Sequence, residues 1–233
     1  LSCEIHRMAY SLFDIAGPIM VGPSSSHTAG ACKIGQLAQS IFDATPKKAI
    51  FQLHGSFATV TTGHATDRAL LGGIMKFKTS DPRIKEAREI ARKKGIFYEF
   101  QKIDLGPKYH PNTVRIILEK DDHKMSITGS SIGGGIVQIC EINDHEVDIR
   151  AVAGKYKSLI ISHRTDQNPL KSVTQRLADQ GIRIKEIQSR QLNGHTLSII
   201  NFDSDDLHLK TVLEIEQIPG VDFARSLTRL EHE

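Results

Sequence analysis

Gly-Ile-Arg-Ile-Lys-Glu-Ile-Gln-Ser-Arg-Gln-Leu-Asn-Gly-His-Thr-Leu-Ser-Ile-Ile-Asn-Phe, residues 181–202, is the stretch on which the fold of the C-terminal third turns. Asn193-Gly194 between two β-rich runs is a strong hairpin signal. It predicts a strand over 182–187 and a returning strand over 196–202. Upstream, Leu170, Val173, Leu177 and Ala178 recur at helical spacing, closed by Gly181, and 158–162 reads as a strand. Downstream, 207–218 reads as a helix closed by Pro219-Gly220, and 221–227 as a last strand. The order βαββαβ is that of a ferredoxin-like unit. The pattern restarts near 151–155, so a boundary is expected at Ala153-Gly154 and a unit over 155–229.

The chain before that boundary, residues 8–152, reads differently. Ala31, Ile34, Leu37, Ala38 and Ile41 have helical spacing, with Ser24, Ser25 or Ser26 as the cap. A strand over 49–53 leads to a Gly55-Ser56 turn. A second helix runs from Gly63 to Ile74, with Gly72-Gly73 weakening its end. Asp81-Pro82 opens a third, which Gly95 stops. Strands follow over 96–103, 114–119, 124–130 and 136–142, the last after Gly133-Gly134-Gly135. Cys140 falls in a strand pattern and is assigned to the core. Helices come early and strands late, so the fold class is α+β.

Composition bounds the function. The 233 residues are 39% hydrophobic and 24% charged, which suits a soluble globular chain. The net charge of +3 is too small to argue for nucleic acid, and Lys85, Arg88, Arg92, Lys93 and Lys94 alternate with Glu86 and Glu89 as on a solvated helix face. No apolar run approaches the ~20 residues of a membrane span. Residues 1–7 precede the first methionine, Met8, and are set aside from the fold. The cysteines, Cys3, Cys32 and Cys140, are odd in number and scattered, which argues for a reducing cytoplasm and against a metal site held by this chain alone.

Two stretches carry chemistry: Gly22-Pro23-Ser24-Ser25-Ser26-His27-Thr28 and Gly63-His64-Ala65-Thr66-Asp67. Each sets a histidine among hydroxyls behind a glycine. Such a turn exposes backbone N–H groups, and with a helix following it forms a pocket for a carboxylate or phosphate. A histidine there suits proton transfer near neutral pH. The structural alternative is a Ser-rich helix cap with a hydrogen-bonded histidine; two such turns in one globular half favour a site. The glycines at 133–135 lack dinucleotide or P-loop spacing and are assigned to a bulge or close packing.

The C-terminal unit resembles an ACT domain at Gly181-Ile182-Arg183-Ile184 and Ile218-Pro219-Gly220-Val221. Such domains usually carry Pro-Gly where the first strand meets the first helix and often bind an amino acid there; this chain has Asn168-Pro169-Leu170 instead. The upstream part is similar to the beta chain of bacterial iron–sulfur-dependent L-serine dehydratase (L-serine ammonia-lyase). The matching residues are Ser11-Leu12-Phe13-Asp14-Ile15, Gly22 to Gly30, Gly55-Ser56-Phe57-Ala58, Gly63 to Asp67, His110-Pro111-Asn112-Thr113 and Ser131-Ile132-Gly133-Gly134-Gly135. Ala65 stands where the family usually has Gly.

The resemblance implies an allosteric-substrate-binding-like first domain with a mixed sheet, followed by the ACT domain. It implies an alpha-chain partner that ligates a [4Fe–4S] cluster, L-serine as substrate, and self-association through the ACT domain; neither nucleic acid nor membrane is expected. The reaction removes water from L-serine, and the aminoacrylate hydrolyses to pyruvate and ammonia. The iron would act as Lewis acid on the departing hydroxyl. His27 and His64 are then proton-transfer or orienting residues, and Ser24, Ser25, Ser26 and Thr28 donors to substrate. Asp67 fixes the neighbouring histidine or its loop, or caps the helix it begins. His110 and Asn112 are further substrate contacts. Two rival readings are a non-catalytic amino-acid-sensing module and a Ser–His hydrolase; the latter lacks a Gly-x-Ser-x-Gly context.

Overall fold

The computed structural model describes residues 20–59, 63–151, 157–203 and 207–227, side chains at 148–151 excepted. The expected boundary at Ala153-Gly154, the Ser11–Ile15 match and the segment before Met8 lie outside the described residues.

The first unit is built on a six-stranded sheet: β1 (Lys48–His54), β2 (Phe97–Lys102), β3 (Asn112–Lys120), β4 (His123–Gly133), β5 (Ile136–Ile142) and β6 (His145–Ala151). Its order is β2-β1-β3-β4-β5-β6. Only β1 and β2 are parallel, so the sheet is mixed as expected. Strand β6 had no counterpart in the sequence reading.

The register defines two ends. His54 pairs with Thr113, Thr113 with Ser130, and Gly133 with Ile136, so these residues share one end. Lys48 pairs with Phe97 and Glu119, Lys120 with His123, and Ile142 with His145 at the opposite end.

Helices α1 (Ala31–Phe42), α2 (Gly55–Thr59), α3 (Thr66–Ile74) and α4 (Ala87–Lys93) complete the first unit. Residues 55–56 start a helix rather than a turn. Gly72 and Gly73 lie within α3 and do not weaken it. A Cβ on Gly73 would stand 2.2 Å from the Cys32 carbonyl oxygen and 2.8 Å from the Gly35 Cα, so α1 and α3 meet backbone to backbone. That contact repays the glycines' entropic cost. Asp81 accepts from the Arg83 N–H and Pro82 opens a 3₁₀ turn, Pro82–Glu86, which leads into α4.

The second unit runs β7 (Lys157–Arg164), α5 (Leu170–Asp179), β8 (Ile184–Leu192), β9 (His195–Phe202), α6 (Leu209–Glu216) and β10 (Val221–Leu227). Its sheet order, β10-β7-β9-β8 with antiparallel neighbours, is the expected ferredoxin-like arrangement. Both faces of its central strands, β7 and β9, are buried, while β8 stays largely exposed. Leu159 and Ile161 pack with Val173, Leu177 and Ile215 of its own helices. Ile160, Leu197, Ile199 and Leu227 join the core of the first unit. The second unit covers the far end of the first sheet, where Arg225 of β10 reaches Asp43, just past α1, at 3.7 Å.

Cys140 is half-buried rather than in the core. Burial alternates along β5, with Val137, Ile139 and Glu141 buried, and Cys140 falls on one of the less buried positions between them, at a bulge where Ile139 and Glu141 face consecutive residues of β4.

Candidate active site

His27 is carried on a π-helical turn, Ser25–Gly30, continuous with α1. Such turns recur at functional sites. Ser24 caps it: its Oγ accepts from the His27 N–H at 3.1 Å and lies 3.3 Å from the Ser26 Oγ. Gly22 lets the chain fold back onto the turn, because at φ +131° a Cβ there would stand 2.6 Å from the Thr28 Cγ2.

Both ring nitrogens of His27 meet hydroxyls. Nδ1 lies 3.2 Å from the Ser26 Oγ and Nε2 3.0 Å from the Ser56 Oγ. A neutral imidazole has one donor and one acceptor nitrogen, and a hydroxyl can answer either. Phe57 packs edge-on against the ring at 5.4 Å between centroids.

His64 stands opposite, its ring centroid 5.3 Å from that of His27. Thr28 ties the two stretches together by donating its hydroxyl to the His64 carbonyl at 2.9 Å. Burial pushes the His27 pKa down, the neighbouring His64 pushes it further, and the backbone of Ser56 opposes both. His27 is therefore a neutral imidazole near pH 7, able to accept a proton.

The buried Nδ1 of His64, Thr66 Oγ1, Asp67 Oδ1 and Ser131 Oγ have no hydrogen-bond partner. Buried polar atoms in native proteins are nearly always satisfied, by water or a ligand where not by protein, and four of the eight such atoms among the described residues fall on the His64 stretch and the adjoining Ser131.

Asp67 does not engage either histidine. It is buried in the first turn of α3 and pairs with Arg88 of α4 at 2.6 Å, which anchors the loop behind His64. His110 and Asn112 reach the site through backbone. The Pro111 carbonyl accepts from the Ser56 N–H at 2.8 Å, and Gly55 at φ +56° bridges to Asn112. The His110 ring is turned back, its Nδ1 accepting from the Asn112 N–H at 3.1 Å. Thus Ser24, Ser26, His27, Thr28 and His64 converge as read from sequence, Ser25 opens the π turn among them, and Asp67, His110 and Asn112 stand behind them. Ser56 and Phe57 are added. Their signal in the sequence is the Gly55-Ser56-Phe57-Ala58 stretch, which reads there as a turn and as part of the resemblance.

The comparisons with known proteins give the family. The profile of the serine dehydratase beta chain matches residues 11–141. The chain belongs to the serine dehydratase beta-chain family. Within that family, the "L-serine dehydratase, beta chain" of Peptoniphilus asaccharolyticus is 42% identical over 78% of this chain and 81% of its own length. The "Probable L-serine dehydratase, beta chain" of Bacillus subtilis (strain 168) is 38% identical over 91% of this chain and 94% of its own. Among solved structures, an ACT domain from GTP pyrophosphokinase of Chlorobium tepidum covers 31% of the chain and 96% of its own length at 14% identity and a TM-score of 0.26. The description of the second unit as ferredoxin-like rests on its strand order.

The described cysteines of this family member do not fit an iron–sulfur cluster. Burial pushes the Cys32 thiol up to about 12, and it donates to the Phe77 carbonyl. A cluster ligand must be a thiolate. Among the described residues no group of three or more His, Cys, Asp or Glu side chains is placed to hold a metal ion, and no helix is long and apolar enough to cross a membrane.

Proposed function

We propose that this chain is the beta subunit of a two-chain L-serine ammonia-lyase that converts L-serine to pyruvate and ammonia. Residues 8–152 are taken as an allosteric-substrate-binding-like domain and 155–229 as an ACT domain. The observation that carries the reading is the pair of imidazoles 5.3 Å apart in a hydroxyl-lined site with unsatisfied buried atoms around it. The [4Fe–4S] cluster is assigned to the alpha chain, where it would supply a Lewis acid for the departing hydroxyl.

Each step assigned to this chain is binding, orienting or proton transfer. The hydroxyls of Ser24, Ser25 and Ser26 receive the substrate carboxylate, while Thr28, which donates to the His64 carbonyl, holds the two histidine stretches together. One imidazole takes the Cα proton. Both His27 nitrogens already meet hydroxyls, whereas His64 Nδ1 has no partner, which favours His64 as base and His27 as the group that orients substrate. Asp67, through Arg88, and the loop of His110 and Asn112, through Pro111 and Ser56, hold this geometry, and holding substrate against both chains lowers the barrier.

The test is anaerobic co-expression with the alpha chain, followed by a pyruvate assay with L-serine. Pyruvate from the pair and none from either chain alone is expected. Turnover by this chain alone would overturn the division of labour. Pairing without turnover would favour an amino-acid-sensing role.

A further inference from the structure

The two ring nitrogens of His64 stand in different surroundings. Only Nδ1 is buried, and neither nitrogen has a hydrogen-bond partner among the described residues, so Nε2 is the one open to the site. A neutral imidazole carries a single proton, and only its bare nitrogen can accept another. The proton's position is set by the hydrogen bond that the inner nitrogen makes. His64 can therefore act as a base through Nε2 only if something inside the protein holds the proton on Nδ1.

Two further buried atoms without a partner lie within three residues of it, Thr66 Oγ1 and Asp67 Oδ1, where the chain enters α3. Thr66 is fully buried and Asp67 is 2% exposed. The Asp67 carboxylate is committed on one side only: Oδ2 pairs with Arg88 at 2.6 Å, and Oδ1 is left over. A carboxylate in an ion pair only accepts hydrogen bonds, whereas the Thr66 hydroxyl both donates and accepts.

No direct bond joins Nδ1, Oγ1 and Oδ1. One internal water joins them with ordinary valence, since a buried water has about three polar partners. A water that donates to Oδ1 presents its lone pairs to the groups behind it, and Nδ1–H is the form of His64 that answers them. The hydrogen bonds in such a chain polarise one another away from bulk water. A bare Nδ1 would instead set a lone pair toward the carboxylate.

We infer that Thr66 and Asp67 are positioning residues that hold His64 as its Nδ1–H tautomer through one shared water, leaving Nε2 bare toward the site. The base atom is then Nε2. That use of it rests on the lyase reading; the tautomer does not.

The test has two independent readouts. The first is the set of ring-nitrogen shifts of the full chain alone, labelled in its histidines, at about pH 8, where imidazoles are neutral; His64→Gln identifies the signals. The unsubstituted chain is expected to show His64 as Nδ1–H. Asp67→Asn keeps the size of the side chain and removes its charge. Arg88 only donates, so it retains the amide oxygen and the NH₂ group turns to the water, which reverses the hydrogen bonds. His64 is then expected mostly as Nε2–H. Arg88→Gln breaks the same ion pair but leaves the carboxylate, and is expected to keep Nδ1–H. Thr66→Val is expected to lower the Nδ1–H share by less than Asp67→Asn.

The second readout is turnover of L-serine by the chain paired with the alpha chain. Asp67→Asn is expected to lower kcat at least ~10²-fold with KM little changed, as for a base held in the wrong tautomer. Nε2–H in the unsubstituted chain, Nδ1–H retained in Asp67→Asn, or an Arg88→Gln chain that inverts equally overturns the inference and leaves the lyase reading standing on its own assay. An inverted tautomer with normal kcat also overturns it, because His64 is then not the base. If Asp67→Asn does not fold, an Nδ1–H share unchanged in Thr66→Val overturns it. The expected tautomers with no pyruvate from the unsubstituted pair uphold the positioning role and overturn the lyase reading.

Discussion

The two ends of the first sheet are finished differently. At the far end the second unit seals the strands with Ile160, Leu197, Ile199 and Leu227, and Arg225 reaches Asp43. At the other end two imidazoles face each other, several buried polar atoms have no partner, and a groove stands open beside them. Each end carries buried polar atoms without a partner, His145 Nδ1 and Arg225 Nε among them at the far end, and each such atom costs roughly 1–3 kcal/mol. At the far end an apolar seam between the units offsets that cost; at the histidine end binding is what would offset it.

The comparison breaks most visibly at the sealed end. Ile160→Ala should cost about 2–5 kcal/mol of stability in urea denaturation, as for other buried large-to-small changes, and leave turnover per folded molecule near normal. For the same reason residues 155–229 expressed alone should be poorly ordered, since the fragment exposes the four side chains that join the first core. A well-dispersed amide spectrum from that fragment would show that the seal is not needed.

At the open end the effects should reverse. His27→Ala or His64→Ala should each lower turnover of the paired enzyme by ~10²-fold or more while the melting temperature changes little. Loss of Cα-proton exchange with solvent in His64→Ala, and partial retention in His27→Ala, would fix their roles. A melting point that falls as far as in Ile160→Ala would erase the distinction between the ends.

The pH dependence sharpens it further. His27 has its pKa lowered, so it becomes protonated only below the ordinary histidine value of about 6.5. The acid limb of kcat/KM should fall below that pH. His145, at the sealed end, is lowered by burial too. The unfolded chain binds these protons first, so stability is full above about 6.5 and declines as pH falls through the folded values. His145→Gln should blunt that decline without moving the kinetic limb. The smallest effect is expected from Ser24→Ala, which removes the cap of the π turn for about 1 kcal/mol.

The second unit was legible nearly element for element because its signals are local: Asn193-Gly194 fixes one hairpin, and Gly181 and Pro219-Gly220 close two helices. What its sequence did not give was that both faces of its central strands are buried. The run Leu159-Ile160-Ile161 was compatible with that, but only the fold says which residue points which way. In the first unit β6 was missed because no comparable turn signal stands behind Asn143-Asp144. Gly72-Gly73 read as a weak helix end because the carbonyl they make room for comes from another helix. The convergence of His27 and His64 was legible from two similar turns. That Ser56 would hold His27 was not, since 29 residues and a strand separate them. Asp67, His110 and Asn112 are read as substrate contacts by resemblance; the Asp67 carboxylate pairs with Arg88, and the His110 ring accepts from the Asn112 backbone N–H.

The backbone contact between α1 and α3 has a mechanical consequence. Along the continuous helical run Gly35 lies eight residues from His27 and eight from Asp43, roughly 12 Å each way at 1.5 Å per residue. With backbone against backbone at that point the helix has the form of a lever with equal arms, so a displacement imposed at Asp43 should reach the His27 turn reversed in direction and about as large.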